Sequence, residues 1–409
     1  MDLMPILSTL RRHKTAASLI VVEVALTCAI VCNAVFLIAD RIDRIQRPSG
    51  LPDDEIVVLR AAGTPPGSDR DELTRRDLAA LRAVPGVAAV ALVNNVAFGN
   101  SSTDSGVNLA PDQPHATLQA SHYMATEDWR QVFGATLVAG RDFVPEEYQN
   151  RSLTDAQDNP RVPSAVVSRA TAAALFPGQP LQAALGKAIY VLGDTPTTIV
   201  GIVDGLNPPQ PNRGADSLRY AFLLPLRPSY RDGSYMLRTQ PGPRERVLRD
   251  GVAALEAQAR ERVVTDRKTL QEMRAAYYQQ DRAMAWLLAA VCAGLLVVTA
   301  LGIVGLASFW VQQRTRMIGT RRALGATRGQ IRGYFQAENF LLTTVGIVLG
   351  MAGAYGISLA LMAQYELPRL PPLYLPLGAL VLWALGQIAV LGPARRAAAL
   401  PPVAAMRGA

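Results

Sequence analysis

Four apolar runs divide the chain: Ala16–Ala39, Ala285–Val311, Phe340–Ala363 and Leu373–Leu391. Each is long enough to cross a bilayer as a helix, since about 20 residues at 1.5 Å rise span the hydrocarbon core. The first two are separated by about 245 residues of mixed, Pro-containing sequence, and the last two crowd toward the C-terminus. The pattern predicts a membrane protein with four transmembrane helices and one large α+β domain outside the bilayer.

The flanks of the first two runs extend that prediction. After Ala39 no helix breaker occurs before Pro48, and Thr269–Ala283 enters the second run without Gly or Pro. Both helices are expected to project beyond the membrane as a stalk. Continuous from Leu270 to Val311, the second would be about 60 Å long, twice the bilayer core. Ahead of the first run, Leu3, Ile6, Leu7 and Leu10 recur at helical spacing before Arg11, Arg12 and Lys14, as in an amphipathic helix lying in the interface. The run that follows exceeds a signal-peptide core and has no small-x-small cleavage site, so it reads as a retained anchor.

The region 48–268 alternates short strands with helices. Strands are predicted at Glu55–Arg60, Val87–Phe98, Ala165–Val167, Ala188–Leu192, Thr197–Val203, Tyr220–Pro225 and Ser234–Arg238, and helices at Asp71–Ala83 and Arg244–Ala259. Residues 99–115 and 145–163 are predicted loops. This alternation suggests split-βαβ layers, in two subdomains. The whole divides into an interfacial helix at 1–15, span and stalk at 16–47, the outer domain at 48–268, stalk and span at 269–311, a connecting loop at 312–339, spans at 340–363 and 373–391, and a tail at 392–409.

Charge orients the picture. The net charge is +8 and the mean hydropathy only +0.15, averages that conceal a segregation. Region 40–283 is nearly neutral, with 28 basic and 29 acidic residues. The excess lies beside the spans: Arg11, Arg12 and Lys14 before the first; Arg314, Arg316, Arg321, Arg322, Arg328 and Arg332 between the second and third; Arg395, Arg396 and Arg407 after the fourth. Basic residues flanking spans mark the cytoplasmic side, so the termini and residues 312–336 are assigned inside, and 40–283 and 364–372 outside. The basic balance therefore reports topology and lipid contact, and does not point to nucleic acid.

Few residues carry candidate chemistry. Glu23 lies within the first span, where a carboxylate is costly and must face protein or water; a functional role competes with a structural hydrogen bond, with Gln387 of the fourth span a candidate partner. Cys28 and Cys32 share a helix face, and packing is preferred over a metal or redox pair. With Cys292 also in a span, no disulfide framework is expected outside. Gly346 and Gly350 form a GxxxG, followed by Gly353 and Gly356, the composition of closely packed membrane helices. No phosphate loop, HExxH, CxxC or GxSxG occurs, and His13, His115 and His122 have no metal spacing. Neither catalytic residues nor a metal site is expected, and an anchored outer enzyme or receptor is disfavoured for want of an active constellation.

The segment Gln313-Arg314-Thr315-Arg316-Met317-Ile318-Gly319-Thr320-Arg321-Arg322-Ala323-Leu324-Gly325-Ala326 resembles the signature of the FtsX-like permease domain of MacB-type and LolC/LolE-type ABC transporters. Leu301–Leu306 and Leu400–Arg407 are similar as well. Within the outer region, Val84-Pro85-Gly86-Val87, Ala139-Gly140-Arg141-Asp142-Phe143, Leu175-Phe176-Pro177-Gly178, Leu185-Gly186-Lys187 and Thr198–Val203 resemble the MacB-type periplasmic core domain. One departure is that Met317 occupies the position usually acidic in the signature. Another is that the nucleotide-binding domain MacB carries is not found in this sequence.

The resemblance implies a type VII ABC permease in the bacterial inner membrane, both termini cytoplasmic and the large domain periplasmic. It implies an ABC ATPase subunit that binds ATP and Mg, with no cofactor in this chain, and a second permease copy or paralogue. A periplasmic adaptor and an outer-membrane channel would complete an efflux machine for a drug, peptide or lipid. The ATPase-coupling residues it implies are Arg314, Arg316, Met317, Ile318, Gly319, Arg321, Arg322, Ala323, Leu324, Gly325 and Ala326. The alternative is an FtsX-like regulatory permease controlling a periplasmic hydrolase or an antibiotic response.

Overall fold

A computed structural model of the chain describes residues 14–63, 69–111, 113–154, 161–211, 219–240, 242, 244–258, 262–365 and 370–399. The amphipathic helix expected before Lys14 and the motif at Leu400–Arg407 lie outside the described residues. The chain divides into two compact units, one formed by its two ends and the other by Arg47–Gln279.

In the first unit, α1 (Lys14–Gln46) runs past its span because Arg41 and Arg44 are good helix formers, Asp40 pairs with Arg44 one turn on, and nothing breaks the run before Pro48. Where it packs against α10 (Arg328–Tyr365), glycine makes the contact possible. A Cβ on Gly350 would lie 2.5 Å from the Cys28 Cβ, and one on Gly346 would lie 2.8 Å from the Val24 Cβ. Gly378, in α11 (Tyr374–Ala399), faces the Cys32 sulfur in the same way. The two cysteines are thus small packing residues, 4.0 Å apart and buried. Lipid offers no hydrophobic drive for helix association, so close approach of this kind and buried hydrogen bonds hold the helices together. Those bonds include Thr27–Thr299, 2.8 Å, and Asn33 Nδ2 donating to the Ala354 carbonyl, 3.1 Å. With α8 (Gln279–Gln313), the described residues of the unit include four helices long and apolar enough to cross a membrane.

The second unit holds two large sheets and a short two-stranded one. The first has four strands in the order β13 (Val263–Thr269), β1 (Ile56–Ala62), β12 (Ser234–Thr239), β2 (Val87–Val93), all antiparallel neighbours. Helix α2 (Arg70–Arg82) connects β1 to β2, and α6 (Arg244–Gln258) connects β12 to β13. These are two interleaved βαβ units, the split-βαβ layer expected, with Val57, Leu59, Leu92 and Leu237 packed under Leu78, Leu81, Val247 and Leu255. A Cβ on Gly251 of α6 would lie 2.8 Å from Leu59, so glycine sets how closely that helix sits on β1. Asp69 caps α2 by accepting from the amides of Asp71 and Glu72.

Between β2 and β12 the chain builds the second sheet: β3 (Asp104–Val107), β4 (Leu118–Met124), β10 (Ala221–Leu224), β7 (Ser164–Ser168), β9 (Thr197–Asp204) and β5 (Thr136–Gly140), with β8 (Ala188–Ile189) against β9. Its own core contains Phe222, Leu224, Val167, Ile199 and Ile202. Smaller elements are α3 (Trp129–Phe133), β6 (Gln149–Asn150), α4 (Arg151–Thr154), α5 (Arg169–Leu175) and β11 (Leu226–Arg227).

Several expectations are corrected. The predicted loops contain β3 in one case and β6 with α4 in the other, because backbone pairing recruits polar sequence wherever a neighbouring strand supplies partners. The strand expected from Val87 to Phe98 ends at Val93. Beyond it the chain turns through Asn94 and Asn95 to Phe98, the one non-glycine residue with positive φ (62°) among the described residues. The strand expected at Ala188–Leu192 is two residues long. The continuous helix expected from Leu270 to Val311 is interrupted: α7 (Leu270–Tyr277), opened by a Thr269/Glu272 capping box, stops at Tyr278, whose φ and ψ are −91° and 8°. Tyr278 is fully buried, with ring contacts to Phe98 at 5.9 Å and to Tyr277 at 5.0 Å, so packing fixes the break.

Candidate functional site

The basic connection between α8 and α10 is a folded element. It forms a short helix, α9 (Thr315–Ala323), set off from α8 by Arg314, which has φ −103° and ψ 13°. The signature residues Ala323-Leu324-Gly325-Ala326 are its stop. Gly325 has φ +96°, its amide donates to the Arg322 carbonyl at 3.1 Å, and the Ala326 amide donates to the Arg321 carbonyl at 3.0 Å. That is a Schellman motif, which requires a left-handed residue and so favours glycine. Two residues on, Thr327 and Gln330 cap the start of α10 reciprocally, at 2.9 and 3.2 Å. The motif therefore encodes a helix–stop–helix turn.

Its side chains sort into two sets. Facing inward, Ile318 is 1% exposed and packs with Val311, Ile331, Phe335, Ala394, Ala397 and Ala398; Gly319 is also buried, and Ala326 lies against the same cluster. The Arg322 guanidinium donates to the Ala398 carbonyl at 2.7 Å, and that of Arg321 lies 4.8 Å from the Tyr334 ring centroid. These contacts seat α9 on the ends of α10 and α11. Facing outward are Arg316, Thr320, Ala323 and Leu324, the last 84% exposed, with Met317 half-buried at the edge. Leu324 is thus an apolar side chain exposed beside Arg316, on a helix seated from behind by Ile318, Arg321 and Arg322.

Arg314 belongs to neither set. Its guanidinium is buried against Glu338 of α10, at 2.7 and 2.9 Å from the carboxylate oxygens, with the Trp310 ring centroid 5.4 Å away. The sequence grouped it with the ATPase-coupling residues that the resemblance implies; its partner is 24 residues distant.

Glu23 does not meet Gln387, whose side-chain amide donates to the Gln336 carbonyl at 3.3 Å. Its carboxylate instead lies over Gly302 of α8, where a Cβ would approach both oxygens to 2.5 Å, one turn from the Thr27–Thr299 bond. Glycine at 302 makes the room that Glu23 occupies.

The second unit has a cleft of about 390 Å³ whose walls include Arg60, Lys268, Asn95, Phe98, Met273 and Tyr277. Behind it His122 is buried, its Nδ1 2.9 Å from the Ser105 hydroxyl. Burial pushes its pKa down to about 4, helped by Arg151 and opposed by Asp104. Among the described residues no three His, Cys, Asp or Glu side chains gather as a metal-binding group.

Four membrane-length helices, a two-sheet unit and a structured basic turn define a multipass membrane protein with a large folded domain outside the bilayer. Residues 289–402 match the FtsX-like permease C-terminal family, and residues 21–265 match the MacB-like periplasmic core domain. The chain belongs to the FtsX-like, MacB-type family of ABC transporter permeases. It is similar to the macrolide export ATP-binding/permease protein MacB 1/2 of Paracoccus denitrificans, at 26% identity over 98% of this chain and 58% of that protein. MacB of Chromobacterium violaceum is 27% identical over 54% and 35%, and the uncharacterized ABC transporter permease YvrN of Bacillus subtilis 32% identical over 39% of each. The chain thus spans between about a third and three-fifths of the length of these relatives. Among solved structures, the periplasmic region of MacB from Actinobacillus actinomycetemcomitans aligns at TM-score 0.33 and 14% identity, over 57% of this chain and 97% of that one. The extracellular domain of the transporter YknZ from Gram-positive bacteria aligns at 0.32 and 12%, over 52% and 100%.

Proposed function

We propose that the chain is the membrane subunit through which a separate ABC ATPase moves the extracytoplasmic domain, driving efflux of a drug, peptide or lipid from the periplasm. The observation that carries this reading is α9: a rigidly seated helix presenting Arg316, Thr320 and the exposed Leu324 outward. A topology signal needs only positive charge. A Schellman stop and a reciprocal cap spend specific residues on fixing the direction of a short helix. ATP and Mg bind in the partner ATPase; this chain supplies the surface it pushes on. In this reading the protein lies in the inner membrane, with α9 and both termini cytoplasmic and the second unit periplasmic. It works with a second permease copy or paralogue, and an adaptor and outer-membrane channel take the cargo onward.

Co-purification with the candidate ATPase tests this directly. Leu324→Asp, which touches no core, is expected to leave membrane insertion intact and weaken ATPase association at least about tenfold, as removal of a docking anchor does. Met317→Glu, restoring the usual charge, should change the stimulated ATPase rate. Unaltered association and turnover in both variants would reduce α9 to a topological element. Capture of a cell-wall hydrolase in place of an adaptor would favour the regulatory reading.

A further inference from the structure

We infer that the Arg314–Glu338 pair is a positioning lock that makes α8, α9 and α10 move as one body. The inference rests on the coupling role proposed for α9 and assigns Arg314 a task other than touching the ATPase.

Arg314 is the joint of the turn: α8 ends at Gln313, α9 begins at Thr315, and residue 314 between them is outside helical geometry. Backbone hydrogen bonds run across this joint, from the Arg314 amide to the Trp310 carbonyl at 3.0 Å and from the Ile318 amide to the Arg314 carbonyl at 2.9 Å. They fix local pitch, while the contacts of Ile318, Arg321 and Arg322 seat the body of α9 on α10 and α11. The Arg314 side chain fastens the joint itself, where α8 hands over to α9. It crosses to Glu338, one helix away, with side-chain exposures of 7% and 1%, and lies over Trp310 of α8. One guanidinium therefore ties the end of α8, the start of α9 and the first turns of α10.

Burial makes the tie stiff. An exposed pair can part and let water solvate both ions, which is why such pairs contribute little. Separating a buried pair strands two desolvated charges, at a cost of several kcal/mol. A push on the outer face of α9 is then transmitted to the membrane helices, because bending at residue 314 is the more expensive response. Glu338 is the one acidic residue of the 312–339 connection, so no other carboxylate of that segment can replace it.

Spin labels at Thr320 and Arg332, both exposed, report the angle between α9 and α10 in the full chain without any ATPase. A narrow distance distribution is expected in the parent protein, a broad one in Arg314→Gln and in Glu338→Gln, and an intermediate one in Arg314→Lys, which keeps the charge. With the ATPase subunit added, the two Gln variants are expected to bind with unchanged Kd and to lose about tenfold or more of the stimulated kcat. A distribution that stays narrow in Glu338→Gln, the mildest change, overturns the lock. So does a Kd that rises as kcat falls, since a merely structural residue would damage both. If the parent chain binds no ATPase, the proposed function fails, while the distances still decide whether the lock exists.

Discussion

The two units solve the same problem, holding a polar backbone in a dry interior, with opposite materials. The extracytoplasmic unit is packed with large side chains: Trp129, Tyr230, Tyr235, Phe133 and Phe222 are fully buried. Water drives that burial, and shape need only be good enough to exclude it. At the α1–α10 contact of the membrane unit, the counterparts are Gly346, Gly350, Ala25 and Cys28. Lipid supplies no such drive, so backbone proximity and side-chain hydrogen bonds take over. Among the described residues each unit also buries an ion pair, Asp77 of α2 with Arg262 just ahead of β13, and Arg314 with Glu338 beside α9.

The comparison can be broken most severely at Asp77. Both its oxygens accept from Arg262 at 2.6 Å, the Tyr235 hydroxyl donates to it, and Arg262 lies 4.2 Å from the Tyr230 ring. Arg262→Met should cost about 3–5 kcal/mol by stranding a buried carboxylate, and denaturant unfolding followed by hydrogen exchange in β1 would register it. Next is His122. Because its folded pKa lies below its unfolded one, the unfolded chain takes up a proton first as pH falls. The stability this provides is complete above pH 6.5 and lost between about 6.5 and 4, on the order of 3 kcal/mol. Protection of β4 amides should fall across that window, and His122→Asn should flatten the fall.

Smaller effects test the membrane side. Gly350→Ala forces α1 and α10 apart and is expected to cost about 1–3 kcal/mol, like other overpacking changes, visible as a lower Tm in detergent. Thr27→Val removes one interhelical hydrogen bond and should cost only about 0.6 kcal/mol. If the two membrane variants matched Arg262→Met in cost, the contrast between the units would collapse.

How much of this was readable beforehand follows the same division. The spans and the layer β1, α2, β2, β12, α6 were legible because their periodicity is set by one apolar face. Strand β13 was not: Val263–Thr269 is a polar edge strand, exposed along most of its length, and exists because β1 pairs with it. Strand β4 was hidden by its Ser and His, both buried through contacts far along the chain. In the basic turn, the Ala-Leu-Gly-Ala element was visible as a motif, but its meaning as a helix stop lies in the φ of Gly325. The burial of Arg314 against Glu338 was not legible, because charge pattern along a sequence says nothing about a partner in the next helix.

The order β13–β1–β12–β2 has a mechanical consequence. The chain enters the first sheet at Ile56 and leaves it at Thr269, and Val57 stands opposite Thr269 in the register. Both tethers of the extracytoplasmic unit thus meet the same end of two adjacent antiparallel strands. Drawn in one direction together, they carry the sheet as a load shared along its whole ladder. Drawn apart, they would open it as a zipper, one hydrogen-bonded pair at a time from Val57–Thr269 upward.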